Sequence, residues 1–387
     1  MTILDPVALA QALIRCPSVT PKDEGALDVL EGALKLLGFS CRRLVFEEPG
    51  AEAVDNLYAR IGTGAPLFCF AGHTDVVPPG GQWKSDPFGA EIREGMLYGR
   101  GAADMKSAIA AFAAAAARVL AEGAPKGSIG FLITGDEEGE AINGTQKVLA
   151  RLKDKGERID HCIVGEPTSA AAVGDTIKIG RRGSMNVRVR VKGVQGHVAY
   201  PAKARNPIPA LAVLATRLSE YKLDDGTAHF EPSMLSFTGI DTGNAATNVI
   251  PAEARAALNI RFNELHTPET LMAFIAGQAK AVSEQTGCEI ALEQSVSGTA
   301  FLTKPGPFID LVAKAVESVT GRLPKFSTGG GTSDARFIQG ACPVAELGLP
   351  NATMHKVDEC VAVADIQRLT DIYVALLEAY FKNPPHE

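Results

Sequence analysis

The sequence predicts an α/β protein in two parts: a layered α/β domain interrupted by an inserted ferredoxin-like α+β domain. Three observations carry this. Short apolar runs at Leu67–Ala71, Ser128–Thr134 and His161–Val164 read as buried strands, and helical patterns lie between them. Ser184–Gly193 instead alternates strictly, with Met185, Val187, Val189 and Val191 apolar and Asn186, Arg188, Arg190 and Lys192 polar. That is a strand with one wet face. The elements that follow come in the order β-α-β-β-α-β, the ferredoxin-like pattern.

Taken in order, the chain opens on a helix that Asp5 can cap, with Pro6 in its first turn and Pro17 at its end. A second helix is expected over Glu24–Leu37, with Leu27, Leu30, Leu34 and Leu37 on one face and Gly38 as its stop. The three buried runs end in Gly72-His73-Thr74-Asp75, Gly135-Asp136-Glu137-Glu138-Gly139 and Gly165-Glu166-Pro167, and a helix is expected to start near Asp104. The inserted part is expected to hold a helix near Pro207–Tyr221, strands near Ser233–Ile240 and Glu253–Phe262, a helix over Pro268–Gln285 and a strand over Cys288–Ser295. After Val296 the first pattern resumes, with a Gly-rich turn at Thr328–Thr332, a strand near Val344–Leu347 and a helix over Ala364–Phe381. The expected division is therefore a discontinuous domain of residues 1–181 and 296–387 around an insert of residues 182–295.

Composition narrows the classes. The 387 residues are 46% hydrophobic and 21% charged, ordinary for a globular protein. The net charge of -7 gives no support to nucleic-acid binding, which usually needs a basic face, and no nucleic-acid partner is expected; a small-molecule substrate is expected from the resemblance given below. The start, MTILDPVALAQALIRCP, lacks the pattern of a signal peptide, and no apolar stretch is long enough for a bilayer. The cytoplasm is the expected compartment, with no membrane partner. Seven scattered cysteines without Cys-x-x-Cys argue against a disulfide framework and a thiolate zinc knot.

In layered α/β domains, functional groups gather past the carboxyl ends of strands. Three such ends here carry His or acidic residues. A catalytic zinc site uses His and carboxylate ligands, and paired ions need shared negative charge. The candidate ligands are His73, Asp104, Glu138, Glu166 and His355. Glu137 and Glu138 are adjacent, so their side chains diverge: Glu138 can ligate while Glu137 serves as general base. His73 and Asp75 lie two apart on one side of an extended segment, so Asp75 can accept the second ring N–H of His73. Taken singly, Glu137-Glu138 also reads as a solvated turn and Asp104 as a helix cap.

The segments Gly72-His73-Thr74-Asp75-Val76-Val77-Pro78, Gly99-Arg100-Gly101-Ala102-Ala103-Asp104-Met105-Lys106, Gly135-Asp136-Glu137-Glu138-Gly139 and Val164-Gly165-Glu166-Pro167-Thr168 resemble the signatures of the co-catalytic zinc aminoacylase and carboxypeptidase family, in order and spacing. The resemblance implies a layered zinc-hydrolase domain with an inserted dimerisation domain, two Zn2+ per subunit (Co2+ or Mn2+ as substitutes) and a homodimer. It implies that Asp104 bridges the ions, that His73 and Glu166 hold one and Glu138 and His355 the other, that Glu137 is the base, and that the peptide after Asp104 is cis. It also implies that His197 serves the active site of the other subunit by stabilising an oxyanion.

Within that family, Lys178–Ser184, Gly330–Phe337 and Pro350–Val357 resemble a member acting on N-succinyl-L,L-diaminopimelate. For so acidic a substrate the expected cations are Lys178, Arg181, Arg182 and Arg261, since Arg grips a carboxylate with two parallel bonds. Ser184, Tyr200, Asn248, Gly331, Thr332 and Asn351 match positions that line the family's site. Arg188 and Arg190 read as a solvated strand face. The metal residues alone leave open a deacetylase of acetylornithine, an aminoacylase or a dipeptidase.

Overall fold

The computed structural model describes residues 4–385. The chain forms two compact units. One comprises the segment up to Ile179, Thr303–Ser327 and the segment from Ser333. The other comprises Gly180–Leu302 and Thr328–Thr332.

In the first unit, α1 (Pro6–Ile14) starts where the Asp5 carboxylate accepts the Val7 N–H at 2.9 Å, with Pro6 in the first turn. Helix α2 (Ala26–Leu36) buries Leu27, Leu30 and Leu34. Strands β1 (Ser40–Glu48) and β2 (Ala51–Ile61) follow as an antiparallel hairpin. This hairpin was not expected from sequence, for a physical reason. β1 is an edge strand, largely exposed, and its Arg and Glu residues mask any alternation. Strand β3 (Leu67–His73) is buried at every residue, as the apolar run predicts, and extends two residues further to His73. Two short strands, β4 (Glu91–Arg93) and β5 (Met96–Tyr98), precede α3 (Lys106–Glu122). Then come β6 (Ser128–Thr134), α4 (Thr145–Asp154), β7 (His161–Val164) and β8 (Thr176–Lys178).

The chain next builds the second unit: β9 (Gly180–Arg181), β10 (Gly183–Lys192), β11 (Gly196–His197), α5 (Pro207–Glu220), β12 (Met234–Asp241), β13 (Val249–Ile250), β14 (Glu253–Phe262), α6 (Pro268–Thr286), β15 (Glu289–Gly298) and β16 (Phe301–Leu302). Its antiparallel sheet has the order β12-β14-β10-β15, and with α5 and α6 this is the ferredoxin-like arrangement. The alternation of β10 is realised in full. Met185, Val187, Val189 and Val191 join Leu211, Leu214, Leu258, Ile260, Leu271 and Ile275 in one core, while Asn186, Arg188, Arg190 and Lys192 are exposed. Each fully buried side chain of this kind stabilises the fold by about 1.5–3 kcal/mol. β9 pairs with β16, which joins the two ends of the insert.

The first unit then closes with α7 (Pro307–Thr320), β17 (Lys325–Ser327), α8 (Ala335–Ile338), β18 (Val344–Glu346), β19 (Cys360–Ala362) and α9 (Val363–Lys382). Its main sheet has the order β1-β2-β6-β3-β7-β18-β8-β17. β6, β3, β7 and β18 run parallel to one another. Phe70 and Phe112 stack at 4.6 Å between ring centres beneath this sheet, with Tyr373 of α9 at the edge of both. No helix among the described residues is long and apolar enough to cross a membrane.

Candidate metal centre

The parallel register dictates where the acidic strand ends meet. His73 of β3 is the register partner of Thr134 of β6, and Ala71 that of Val164 of β7. The segments leaving these strands therefore emerge side by side, which brings His73, Glu137, Glu138 and Glu166 together. Gly165 makes the last approach possible, because a Cβ there would lie 2.5 Å from the Phe70 ring. Asp104 arrives from the loop after β5. Its carboxylate does not cap α3, whose first cap residue is Met105 with no side-chain bond, so the helix-cap alternative is set aside. The Asp104–Met105 peptide is cis. His355 arrives from the loop before β19, with a left-handed backbone (φ 62°).

Asp104 lies between the two imidazoles. Its Oδ1 is 3.2 Å from His73 Nε2 and its Oδ2 is 3.2 Å from His355 Nε2. Glu166 Oε1 is 3.7 Å from His73 Nε2, and Glu138 Oε1 is 2.8 Å from His355 Nε2. Donor atoms of His73, Asp104 and Glu138 fall within 4.8 Å of one another, as do those of His73, Glu137 and Glu166.

Asp75 acts differently from its expected role. The His73 Nδ1–H donates to the backbone carbonyl of Asp75 at 2.8 Å, and the nearer carboxylate oxygen is 3.6 Å away. The backbone that leaves β3 brings the Asp75 carbonyl, not its side chain, in front of the ring. The carboxylate instead accepts the backbone N–H groups of Glu137 (3.3 Å) and Glu138 (3.0 Å). It thus ties the β3 loop to the β6 loop, while the carbonyl turns His73 Nε2 toward the carboxylates.

The electrostatics of this group state a chemical demand. Burial, then the neighbouring carboxylates, push Glu166 well above the usual carboxylate range, and burial likewise raises Glu137. Burial also lifts Asp75 to about 6. Hydrogen bonds to Asp104 and Glu138 raise His355 to about 10. Burial works against a charge on His73, yet Asp104 raises its proton affinity well above normal. Burial of these carboxylates, and for Glu137 and Glu166 the repulsion from neighbouring carboxylates, is a cost that bound cations would relieve. Glu166 Oε1 is buried with no hydrogen-bond partner among the described residues, an acceptor left for a ligand. The donor set of imidazole and carboxylate suits zinc, manganese or cobalt. The residues present therefore fit a pair of divalent ions.

The other expected contacts fall into separate groups. In the first unit, Lys178 closes β8, and Asn351 begins the loop to His355, its N–H on Ser169. In the second unit, Arg181 is buried with Nη1 on the Gly331 carbonyl at 2.9 Å, and Arg182 lies 3.4 Å from Glu231. Ser184 pairs with Arg261 across β10 and β14, and Asn259 donates to Ser184 Oγ while accepting from Arg261 Nε. Burial and the adjacent Arg182 lower the proton affinity of Arg261. Thr332 is half-buried in that unit's Gly-rich turn. His197, Tyr200 and Asn248 form an exposed cluster. His197 pairs with Val249, its ring lies 5.9 Å from that of Tyr200, and the Asn248 carbonyl accepts the Val198 N–H.

Sequence reasoning passed over two residues beside the candidate ligands, Arg100 and Glu359. Arg100 stood inside a recognised motif, but its partner lies 259 positions away, so no local signal marks the pair.

The chain belongs to Peptidase family M20/M25/M40, whose sequence profile it matches over residues 69–379. Among its relatives are proteins named succinyl-diaminopimelate desuccinylase. That of Rhodospirillum centenum is 59% identical over 97% of this chain and 97% of that protein. That of Parvibaculum lavamentivorans is 57% identical over 97% and 96%. Solved structures share the fold at lower identity. Aminopeptidase PepT from Bacillus cereus superposes with a TM-score of 0.80 at 22% identity, covering 98% of this chain and 99% of that one. A dinuclear metal-binding peptidase of the M20 family from Bacillus subtilis superposes with a TM-score of 0.70 at 15% identity, covering 97% and 96%.

Proposed function

We propose that this protein hydrolyses the amide bond of N-succinyl-L,L-diaminopimelate to succinate and L,L-diaminopimelate, with two zinc ions per subunit. The observation that carries the reading is the paired cluster of imidazoles and carboxylates around Asp104. The relatives named desuccinylase, similar along nearly the whole chain, supply the substrate.

In this reading His73 and Glu166 would hold one ion, Glu138 and His355 the other, and Asp104 would contribute to both. Such ions would supply acidification of water toward neutrality and polarisation of the amide carbonyl. Glu137, pushed toward the protonated side by burial, takes the proton of the attacking water and hands it to the departing amine nitrogen. Asp75 holds Glu137 and Glu138 by their backbone N–H groups, so the base and a ligand keep their spacing. Lys178, Arg181, Arg182 and Arg261 supply positive charge for the substrate carboxylates, with Ser184, Tyr200, Asn248, Gly331, Thr332 and Asn351 as polar contacts.

We further propose a homodimer through the inserted unit, in which His197 of the partner subunit stabilises the oxyanion. Two features support it: His197 is exposed, and the edge strand β12 carries exposed Met234 and Ile240. The cytoplasm is the expected place of work. Rates on N-succinyl-L,L-diaminopimelate and N-acetylornithine, measured side by side on zinc-loaded protein, test the substrate. Cleavage of the succinyl compound alone is expected, and cleavage of the acetyl compound alone would overturn the assignment.

A further inference from the structure

Arg100 and Glu359 form a buried ion pair, 2% and 0% exposed, with Arg100 Nη1 donating to Glu359 Oε2 at 2.6 Å. Every other side-chain hydrogen bond of the pair goes to a segment that carries a candidate ligand. Glu359 Oε1 accepts the backbone N–H of Ala103 at 2.8 Å and that of Asp104 itself at 3.1 Å. Glu359 lies four residues after His355 on the same loop. Arg100 Nη2 donates to the carbonyls of Pro79 (3.0 Å) and Pro78 (3.4 Å), the segment that leaves His73. The Gly99 N–H donates to the Glu359 carbonyl at 2.9 Å, where β5 and β19 pair. The guanidinium also lies over the Trp83 ring, 5.3 Å from its centre.

We infer that Arg100 and Glu359 are positioning residues for the metal centre, clamping the loops of His73, Asp104 and His355 in mutual register. A stabilising role alone is a poor explanation. Buried ion pairs contribute little net stability and are often replaceable by apolar side chains of similar volume. Here the two charges bond backbone groups of two ligand-bearing loops, one of them the N–H of the residue whose carboxylate lies between both imidazoles, and Glu359 itself stands on the third. Partners just outside a metal's ligands fix ligand orientation, and losing them costs about 10–100-fold in metal affinity.

The inference rests on the metal reading above, and the test separates the two. Metal-stripped protein is titrated with Co2+, reading affinity and the visible absorption band, alongside kcat and KM of the loaded enzyme. The variants are Glu359→Gln and the double Glu359→Gln/Arg100→Met. The double variant removes the donor that an amide would face and keeps an oxygen for the Ala103 and Asp104 N–H groups, so it guards against simple misfolding. The expected result is Co2+ bound at least about tenfold more weakly, an altered band, and kcat falling more than KM changes. Unchanged affinity and band in folded variants, with only the melting temperature moved, would overturn the positioning role alone. A wild-type protein that binds no Co2+ would overturn the metal reading and this inference with it.

Discussion

Glu137 and Glu138 are neighbours with opposite assignments, and the distinction is testable residue by residue. Glu138 Oε1 lies 2.8 Å from His355 Nε2, whereas Glu137 belongs with His73 and Glu166. Glu137→Ala should lower turnover by about 10²–10⁴-fold while zinc content stays at the wild-type level. Loss of zinc in that variant would instead make Glu137 a ligand. The residue scale is also where sequence reading was least complete. His73, Asp104, Glu138, Glu166 and His355 could be picked out because strand ends and motifs mark them, and the fold does bring them together. The bond that orients His73 could not, because it depends on the backbone path that presents the Asp75 carbonyl. The Arg100–Glu359 pair is a product of tertiary structure alone.

At the scale of elements, the buried strands and the alternating strand were legible because burial on two faces or one leaves its period in the sequence. The edge strand β1 was not, because an exposed edge carries no such period. Helix α3 shows a subtler case. Its run from Ala108 to Ala116 is weakly hydrophobic yet wholly buried. It packs against α1, α9 and β3, and its methyl side chains allow that close approach. Ala111→Leu should therefore destabilise the protein by about 1–3 kcal/mol in urea unfolding, and an unchanged midpoint would deny the tight packing. His161 of β7 offers a second test. Its Nδ1 meets the Tyr380 hydroxyl at 2.9 Å, and burial pushes its proton affinity down to about 4. The folded state thus binds the proton less readily than the unfolded chain, whose His titrates near about 6.5. The stability tied to neutral His161 is present above about 6.5 and is lost as pH falls toward 4. Metal-free protein should lose about 2 kcal/mol from this source between pH 7 and 5. His161→Phe should flatten that part of the acid limb, and an equally steep limb would refute the assignment.

At the scale of the whole molecule, the proposed catalyst is a subunit pair charged with metal. His197→Ala should leave a folded dimer, seen by sedimentation, with a rate lowered by about 10²–10³-fold, the usual loss for one oxyanion donor. A fully active variant would remove His197 from the chemistry. The proposed metal carries more weight still, because it would explain why six ionisable side chains converge on one site. The most direct test is to strip the protein with a chelator and add zinc back stepwise, reading bound ions and succinate released from N-succinyl-L,L-diaminopimelate in the same samples. The account predicts no hydrolysis by stripped protein and a rate that climbs until two ions are bound per subunit. Full hydrolysis by verified metal-free protein would contradict it.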